Sequence, residues 1–496
     1  MAVIVGTAAS ETLNGTEGND ELAGLGGDDT LNGLGGNDEF RWFSNEGNDT
    51  INGGDGRDRA SFTFINNTGV ANQTFFLTGQ GATGLLQYGN PDSSTVNPLM
   101  TVTSMNAVED VQIRFSESIT LSPTIRIDSS ISNAVSGTIE VIQLSEGDTA
   151  IFASGITNSL RVITGDGRDS IYGGSGVDQI STFGGDDILN GGSGNDTLLG
   201  GTGNDTYFAN AGDTVIEEAG AGTDAIVTAE NWYRLYEANV ENLFFNGTGN
   251  FVGIGNELNN YIEGGNGNDQ LYGLDGNDTL YGRGGNNELV GGAGDDTYVV
   301  ESNGDTLVEM GGEGNDTVLT SLNSYILKEN FENLRYSGSA AFSGYGNNAN
   351  NELGGGTGGD TLYGFSGNDR LSGNNGADIL NGGAGDDALI GGAGPDELIG
   401  GTGADRFQYD QVGDFGDLIL DFDREEGDKI DVSNLANSFG TDDPFASGNI
   451  RMEQVTINGQ QATRIFVDPD SSTPEGEFVL ATVYGDAPLQ PSDFIV

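Results

Sequence analysis

Between Gly165 and Phe208 an apolar or aromatic side chain returns at every ninth residue, as Ile171, Ile180, Leu189, Leu198 and Tyr207. The same period reappears as Leu353, Leu362, Leu371, Leu380, Leu389, Leu398 and Phe407. Each nine-residue unit reads as six turn residues and three strand residues, the eighth position pointing into a thin core in the period-two sense of a strand. Two units then make an 18-residue coil of strand, turn, strand and turn. Stacked coils rise by one inter-strand spacing, about 4.8 Å. The pattern predicts an all-β chain, a quasi-one-dimensional solenoid of such coils rather than a globule.

Aspartates keep the same step. They stand at Asp169, Asp178, Asp187, Asp196 and Asp205, and again at Asp360, Asp369, Asp378, Asp387, Asp396 and Asp405. Another block has Asp269, Asp278 and Asp296, with Asn260 and Asn287 in two of the places, and Asn351 opens the last block. The N-terminal block has Asp20, Asp29 and Asp38, then slips by two residues to Asp49 and Asp58. Before the aspartates lie glycines such as Gly174, Gly176, Gly192, Gly194, Gly201 and Gly203, and later Gly383, Gly385, Gly392, Gly394, Gly401 and Gly403. Glycine is expected to let the first four turn positions take positive φ, so that the backbone folds tightly and aims its carbonyls inward.

Aspartates 18 residues apart, such as Asp178 and Asp196, then become neighbours along one edge, with carbonyls of both turns between them. Such an all-oxygen, anionic cage suits a hard cation with six or more ligands. That favours Ca²⁺ over Mg²⁺, which needs a smaller octahedral shell and holds its waters. Pairs at this spacing with aspartate at both ends number one in the first block, three in the second, one in the third and four in the last; an asparagine partner adds three. The expectation is therefore about nine to twelve calcium ions. Asp224 and Asp316 fall outside the step and read as solvated turn residues. On that reading Asp378→Ala costs more than Asp224→Ala.

A longer repeat overlies the first. DTYFANAGDTVIEEAGAGTD from Asp205 is echoed by DTYVVESNGDTLVEMGGEGND from Asp296, and NVENL at Asn239 by NFENL at Asn330, offset by 91 or 92 residues. The chain thus divides into an N-terminal repeat block (1–60), a Thr/Val/Ile-rich β segment (61–160), repeat blocks at 161–208, 256–299 and 347–408, spacers at 209–255 and 300–346, and a C-terminal cap (409–496). In the segment 61–160, alternation such as Val111-Gln112-Ile113-Arg114-Phe115 and Thr124-Ile125-Arg126-Ile127 reads as strands. No proline lies between Asn133 and Gly394, which suits an uninterrupted hydrogen-bonded stack. Helical signals are confined to Glu230–Leu243 and Leu322–Leu334.

Composition narrows the chemistry. The 496 residues include 85 glycines, no cysteine and no histidine, and carry a net charge of -59. The missing histidine removes Ser-His-Asp triads, His-ligated zinc and HExxH metalloproteases; the missing cysteine removes thiolate nucleophiles and disulfides. The charge opposes binding to nucleic acid or anionic lipid. No stretch approaches the ~18 apolar residues of a membrane-spanning helix. A Gly/Asp/Asn-rich chain of this kind resembles a disordered linker, but linkers do not hold an apolar residue in phase over seven units. Disorder is the expected state without calcium.

The spacing closely resembles the RTX (repeats-in-toxin, hemolysin-type) calcium-binding family. The resemblance covers four blocks, about half the chain, and implies a parallel β-roll in which the aspartates and the first four turn carbonyls bind Ca²⁺. Leu25, Leu34, Phe183, Leu274 and Phe365 replace the motif's second glycine, which puts the turn geometry there in question. Asn260, Asn287 and Asn351 replace its aspartate, so sites beside them are expected to be weak or absent. The stretch DRFQYDQVGDFGDLILDFDREEGDKIDVSNLA and the ending PSDFIV resemble the C-terminal part of family members exported by type I secretion. DFIV also reads as an ordinary terminal strand. The start, MAVIVG, has no basic n-region of a secretory signal.

These readings imply a secreted, extracellular or cell-surface, bacterial calcium-binding protein. It would serve as a non-catalytic surface, matrix or adhesion protein, with the type I export machinery and a cell surface or polysaccharide as partners. The competing reading is a polysaccharide lyase or epimerase on a β-helix, its candidate residues Asp110, Arg114 and Arg126.

Overall fold

The computed structural model describes residues 1–43, 49–64, 74–80, 83–89, 104–106, 110–115, 124–127, 135, 137–144, 147–236, 239–411, 413–439, 444–468, 478–485 and 488–496. They form two compact units, Met1–Gly247 and Thr248–Val496. In each, short strands, mostly of three to six residues, alternate between parallel sheets on the two sides of the coil.

In the first unit, one sheet has ten strands, running from Val3–Val5 through Glu21–Ala23, Arg59–Phe64, Asp110–Phe115, Ile139–Gln143 and Gln179–Ser181 to Thr214–Ile216. Its partner contains Ala150–Phe152, Ser170–Tyr172, Ile188–Asn190, Thr206–Phe208, Ala225–Thr228 and Asn242–Phe245. Register puts Ile180 beside Leu198 in the first sheet and Leu189 beside Tyr207 in the second. All four are buried, as are Ile171 and Ile226. The nine-residue period is thus one inward residue per strand, taken alternately from the two sheets.

The second unit repeats the plan with Leu353, Leu371, Leu389 and Phe407 in one sheet and Leu362, Leu380 and Leu398 in the other, all fully buried. Each such side chain contributes roughly 1.5–3 kcal/mol by leaving water. The last coils end on an antiparallel sheet: Phe478–Tyr484 joins Asp417–Ile419 in parallel, then pairs antiparallel with Gln460–Val467, which pairs with Ile450–Ile457. The terminal Phe494–Ile495 adds to Lys429–Asp431, and Arg424 clasps the buried Asp493 at 2.7 Å.

The stack does not stop where the repeats stop. Ala225–Thr228 and Asn242–Phe245 continue the first unit in register beyond Thr206–Phe208, and Thr317–Thr320 and Asn333–Tyr336 do so in the second beyond Thr297–Val300. Asp110–Phe115 pairs in parallel with Arg59–Phe64 and with Ile139–Gln143, so this part of the Thr/Val/Ile-rich segment also belongs to a coil.

Both expected helices are absent. Glu230–Leu243 contains the strand Trp232–Arg234 and the start of Asn242–Phe245; Leu322–Leu334 contains Ser324–Ile326 and the start of Asn333–Tyr336. Their apolar residues are drawn into ladders, Leu243 beside Ile226 and Leu334 beside Val318, and Asn330 takes a φ of 68°, which no helix accommodates. Among the described residues the one α-helix is Ser433–Phe439, in the cap.

Candidate metal centre

Every repeat aspartate predicted from the spacing lies at the mouth of a turn with its side chain at most 2% exposed. One carboxylate oxygen is tied into the stack. Asp196 Oδ1 accepts from the amide of Asp178 at 2.7 Å, Asp187 Oδ1 from Asp169 at 2.7 Å and Asp205 Oδ1 from Asp187 at 2.8 Å. In the second unit Asp378 accepts from Asp360 at 2.6 Å, Asp387 from Asp369 at 2.8 Å, Asp396 from Asp378 at 2.8 Å and Asp405 from Asp387 at 2.9 Å. Asp296 accepts from Asp278, and Asp278 from Asn260. The two-residue slip in the N-terminal block leaves the ladder intact. Asp49 accepts from Asp29 at 2.9 Å and Asp58 from Asp38 at 2.8 Å, because strand pairing keeps Leu31 beside Ile51.

The other oxygen is what matters chemically. Oδ2 of Asp29, Asp38, Asp169, Asp187, Asp196, Asp205, Asp278, Asp296, Asp369, Asp378, Asp387, Asp396 and Asp405 is buried without a hydrogen-bond partner. Leaving a buried acceptor unmade costs about 1–3 kcal/mol, and more for a charged one. A column of them along a turn edge is the arrangement an oxygen-seeking cation neutralises.

Glycine makes room for this column in two ways. A Cβ on the motif's first glycine, as at Gly191, would collide with the carboxylate of its own repeat, Asp196. The second and fourth positions carry the positive φ, for example 93° at Gly192 and 149° at Gly194. At Gly394 a Cβ would strike the carbonyl oxygen of Gly376 in the preceding coil. Gly201, Gly203, Gly383, Gly385, Gly392, Gly401 and Gly403 are likewise left-handed; Gly174 and Gly176 are not, although a Cβ there would still meet the backbone of Ile156 and Asn158. So positive φ belongs to two of the four turn positions.

Leu25, Leu34, Leu274 and Phe365 take φ of 77°, 79°, 92° and 77° in the second-glycine place, and Arg283 and Asn374, in the same place, take 59° and 72°. The turn geometry survives there at a cost of about 1–2 kcal/mol per residue. Phe183 avoids positive φ. The asparagines differ from one another. Asn287 keeps the ladder by accepting from the amide of Asp269 while its side-chain amide donates to the carbonyl of Gly284, and Asn351 turns its amide donor on the carbonyls of Phe331 and Glu332, where a cation would need acceptors.

Acids outside the nine-residue step complete the edge. Asp213 accepts from Asp196, Asp224 from Asp205, Asp316 from Asp296, Asp417 from Asp396 and Asp428 from Asp405. Asp224 and Asp316 are each 1% exposed, which overturns their reading as solvated turn residues. A signal for them exists: a Gly-x-Asp tripeptide just before an apolar strand, as in GTDAIV and GNDTVL.

Burial shifts these groups. It pushes the carboxyls of Asp187, Asp278, Asp296, Asp378, Asp387 and Asp405 up to about 7, and those of Asp369 and Asp396 to about 6. Asp20, by contrast, is held below the usual range by the Thr16 hydroxyl. For a carboxyl raised from 3.8 to about 7, the calcium-free folded chain holds more protons than the unfolded chain between these values. Its stability is therefore greatest at the acid end and is lost as pH rises through about 7. Calcium-stripped protein should show more β structure by circular dichroism at pH ~5 than at pH ~8. A gain of β structure on raising the pH would contradict this assignment.

A family comparison agrees with the geometry. A family model described as the RTX calcium-binding nonapeptide repeat (4 copies) matches residues 5–40, 43–60, 161–182, 181–216, 254–289, 275–307, 345–380, 372–407 and 381–414. No curated protein matches the chain. Among solved structures, the extracellular lipase LipA from Serratia marcescens is similar over 55% of this chain and 45% of its own, at 18% identity and a TM-score of 0.13. With the repeat model matching in every block and the parallel stack that its motif requires, the chain belongs to the RTX calcium-binding nonapeptide-repeat family.

Proposed function

We propose that this chain is a secreted protein that folds on binding Ca²⁺ outside the producing cell and then serves as a non-catalytic surface, matrix or adhesion protein. The observation that carries this reading is the column of buried Oδ2 atoms without partners. Each stacked pair, such as Asp378 with Asp396 or Asp369 with Asp387, would hold an ion together with the turn carbonyls between them. The fully aspartate pairs bind more strongly than those with Asn351. Extracellular modules take Ca²⁺ with Kd of roughly 10⁻⁴–10⁻³ M, so such a chain stays loose at cytosolic calcium and locks after exit.

The residues of the enzymatic alternative are otherwise engaged. Asp110 is paired with Arg57 at 2.9 Å and accepts from the amide of Thr138, and Arg126 lies over the ring of Phe152 at 4.9 Å. The Arg114 side chain lies outside the described residues. Asp110 and Arg126 belong to different sheets.

Export through the C-terminal segment is the testable part of the localisation. Fused behind a carrier protein that otherwise stays in the cytosol, residues 409–496 should bring the carrier into the culture medium of a type I-secreting host. Removal of 427–496 from the full chain should leave it inside. A carrier retained with its fusion, or efficient release of the truncated chain, would sink the export reading.

A further inference from the structure

Beyond the repeat edge, each spacer delivers a glutamate to the acid that ends its block. In the first unit one carboxylate oxygen each from Asp205, Glu217 and Asp224 lie within 4.8 Å of one another; in the second, the same holds for Asp296, Glu309 and Asp316. Glu217 and Glu309 lie off the nine-residue step, just after the strands Thr214–Ile216 and Thr306–Val308 and ahead of the turns that carry Asp224 and Asp316. We propose that these two triads are calcium sites of a second kind, in which a glutamate from the spacer adds a third side-chain carboxylate to the two stacked turns at the end of a repeat block. The proposal rests on the calcium reading above and extends it to residues the nonapeptide motif does not contain.

Three further observations point to a ligand. First, each triad carries two buried oxygens with no hydrogen-bond partner: Asp205 Oδ2 and Glu217 Oε2 in one, Asp296 Oδ2 and Glu309 Oε2 in the other. Asp205 and Asp296 are each only 1% exposed. Two carboxylates that leave oxygens bare within one small space repel each other unless something positive stands between them.

Second, the oxygens are aimed. The core position of these two repeats is tyrosine where neighbouring repeats have leucine or isoleucine. Tyr207 donates its hydroxyl hydrogen to Glu217 and accepts from the amide of Gly200 at 2.8 Å; Tyr298 donates to Glu309 and accepts from Gly291 at 2.7 Å. A Cβ on Gly200 would collide with both Asp205 Oδ2 and the Tyr207 hydroxyl, and one on Gly291 with Asp296 Oδ2 and the Tyr298 hydroxyl. The bare aspartate oxygen therefore faces the same side as the hydroxyl that fixes the glutamate. With Oε1 held by tyrosine, Oε2 is the oxygen left for an ion.

Third, the supports recur. Asn239 donates its side-chain amide to the Glu217 carbonyl at 2.9 Å, and Asn330 to the Glu309 carbonyl at 3.0 Å. Asp224 donates its amide to Glu241, and Asp316 to Glu332, both at 2.8 Å. The loop between aspartate and glutamate is one residue longer in the second copy, yet the constellation is the same. Three oxygen-only carboxylate ligands suit Ca²⁺, whose shell is flexible and takes six to eight oxygens.

The test counts ions on the full-length chain. Glu217→Gln with Glu309→Gln keeps the volume and an acceptor but removes both charges. At fixed free Ca²⁺, equilibrium dialysis followed by elemental analysis should find two fewer ions per chain than in the parent, and one fewer in either single variant. Tyr207→Phe with Tyr298→Phe removes the supporting hydroxyls and leaves the carboxylates, so it should keep both ions. An unchanged count in the glutamate variants across the range that saturates the parent would overturn the proposal. So would an equal loss in the tyrosine pair, which would mean that the Tyr–Glu hydrogen bond, and not ligation, was being read. If the parent chain binds no calcium, the broader functional reading falls with it. If the parent binds calcium and only the glutamate variants are unchanged, the second kind of site alone falls.

Discussion

Stripped of calcium at neutral pH, the purified chain is expected to give a far-UV circular dichroism spectrum dominated by disorder, and millimolar Ca²⁺, but not Mg²⁺, to convert it to β structure. Its core is thin, one apolar side chain per strand, and 35% apolar composition leaves little more to bury. Against that stand a net charge of -59 and the edge of buried carboxylates. Taking a carboxylate out of water without a counter-charge costs several kcal/mol even after relaxation. Each bound ion reverses the sign. With Kd of roughly 10⁻⁴–10⁻³ M and Ca²⁺ at ~10 mM, linkage gives about 1.4–2.7 kcal/mol per site, and on the order of 10–25 kcal/mol over nine sites. That equals or exceeds the ~5–15 kcal/mol stability of an ordinary domain. A folded spectrum in excess chelator at pH 7 would refute the coupling.

Asp378→Ala should raise the calcium midpoint of that transition more than an acid placed elsewhere on the same turns. Asp378 lies between two neighbours: its Oδ1 accepts from Asp360 and its amide donates to Asp396 Oδ1. Losing its carboxylate weakens two stacked sites, roughly 3–5 kcal/mol at ~10 mM Ca²⁺ on the same linkage estimate. Asp275, an exposed residue at the third turn position, is the control, and Asp275→Ala should stay within about 0.5 kcal/mol. Asp224→Ala now belongs with Asp378→Ala rather than with the control, because Asp224 accepts from the amide of Asp205 inside the stack. Equal midpoints for the Asp378 and Asp275 variants would break the assignment of ions to the ladder.

How far the sequence could be read depended on what sets position in the stack. Within the later blocks, turn length is constant, so counting by nine finds Leu371, Leu389 and the aspartates beside them, and all prove to be buried. In the spacers strand pairing sets position while loop length varies. Asp213 follows its partner by 17 residues, Asp224 by 19, Asp316 by 20 and Asp428 by 23, so a fixed step misses them all. The same drift made Glu230–Leu243 look helical, since its apolar residues were spaced by loop rather than by strand. Glu217 and Glu309 were hidden for another reason. They reach the edge only through a hydroxyl at the core position, and a tyrosine there first reads as one more apolar residue.

Pulled from one end, such a stack yields coil by coil. The bonds that carry the load run along the stack: the amide of Asp360 to Asp378, of Asp378 to Asp396, and the backbone pairs beside them. Each of these bonds joins a coil to its immediate neighbour, so detaching the outermost one leaves those of the next as intact as before. Each release frees 18 residues, up to about 60 Å of extended chain. The antiparallel sheet of the cap holds the far end meanwhile. A protein built this way behaves under load as a series of sacrificial links. It lengthens in steps while each surviving coil keeps its ions, and it re-forms onto the intact remainder once the tension falls.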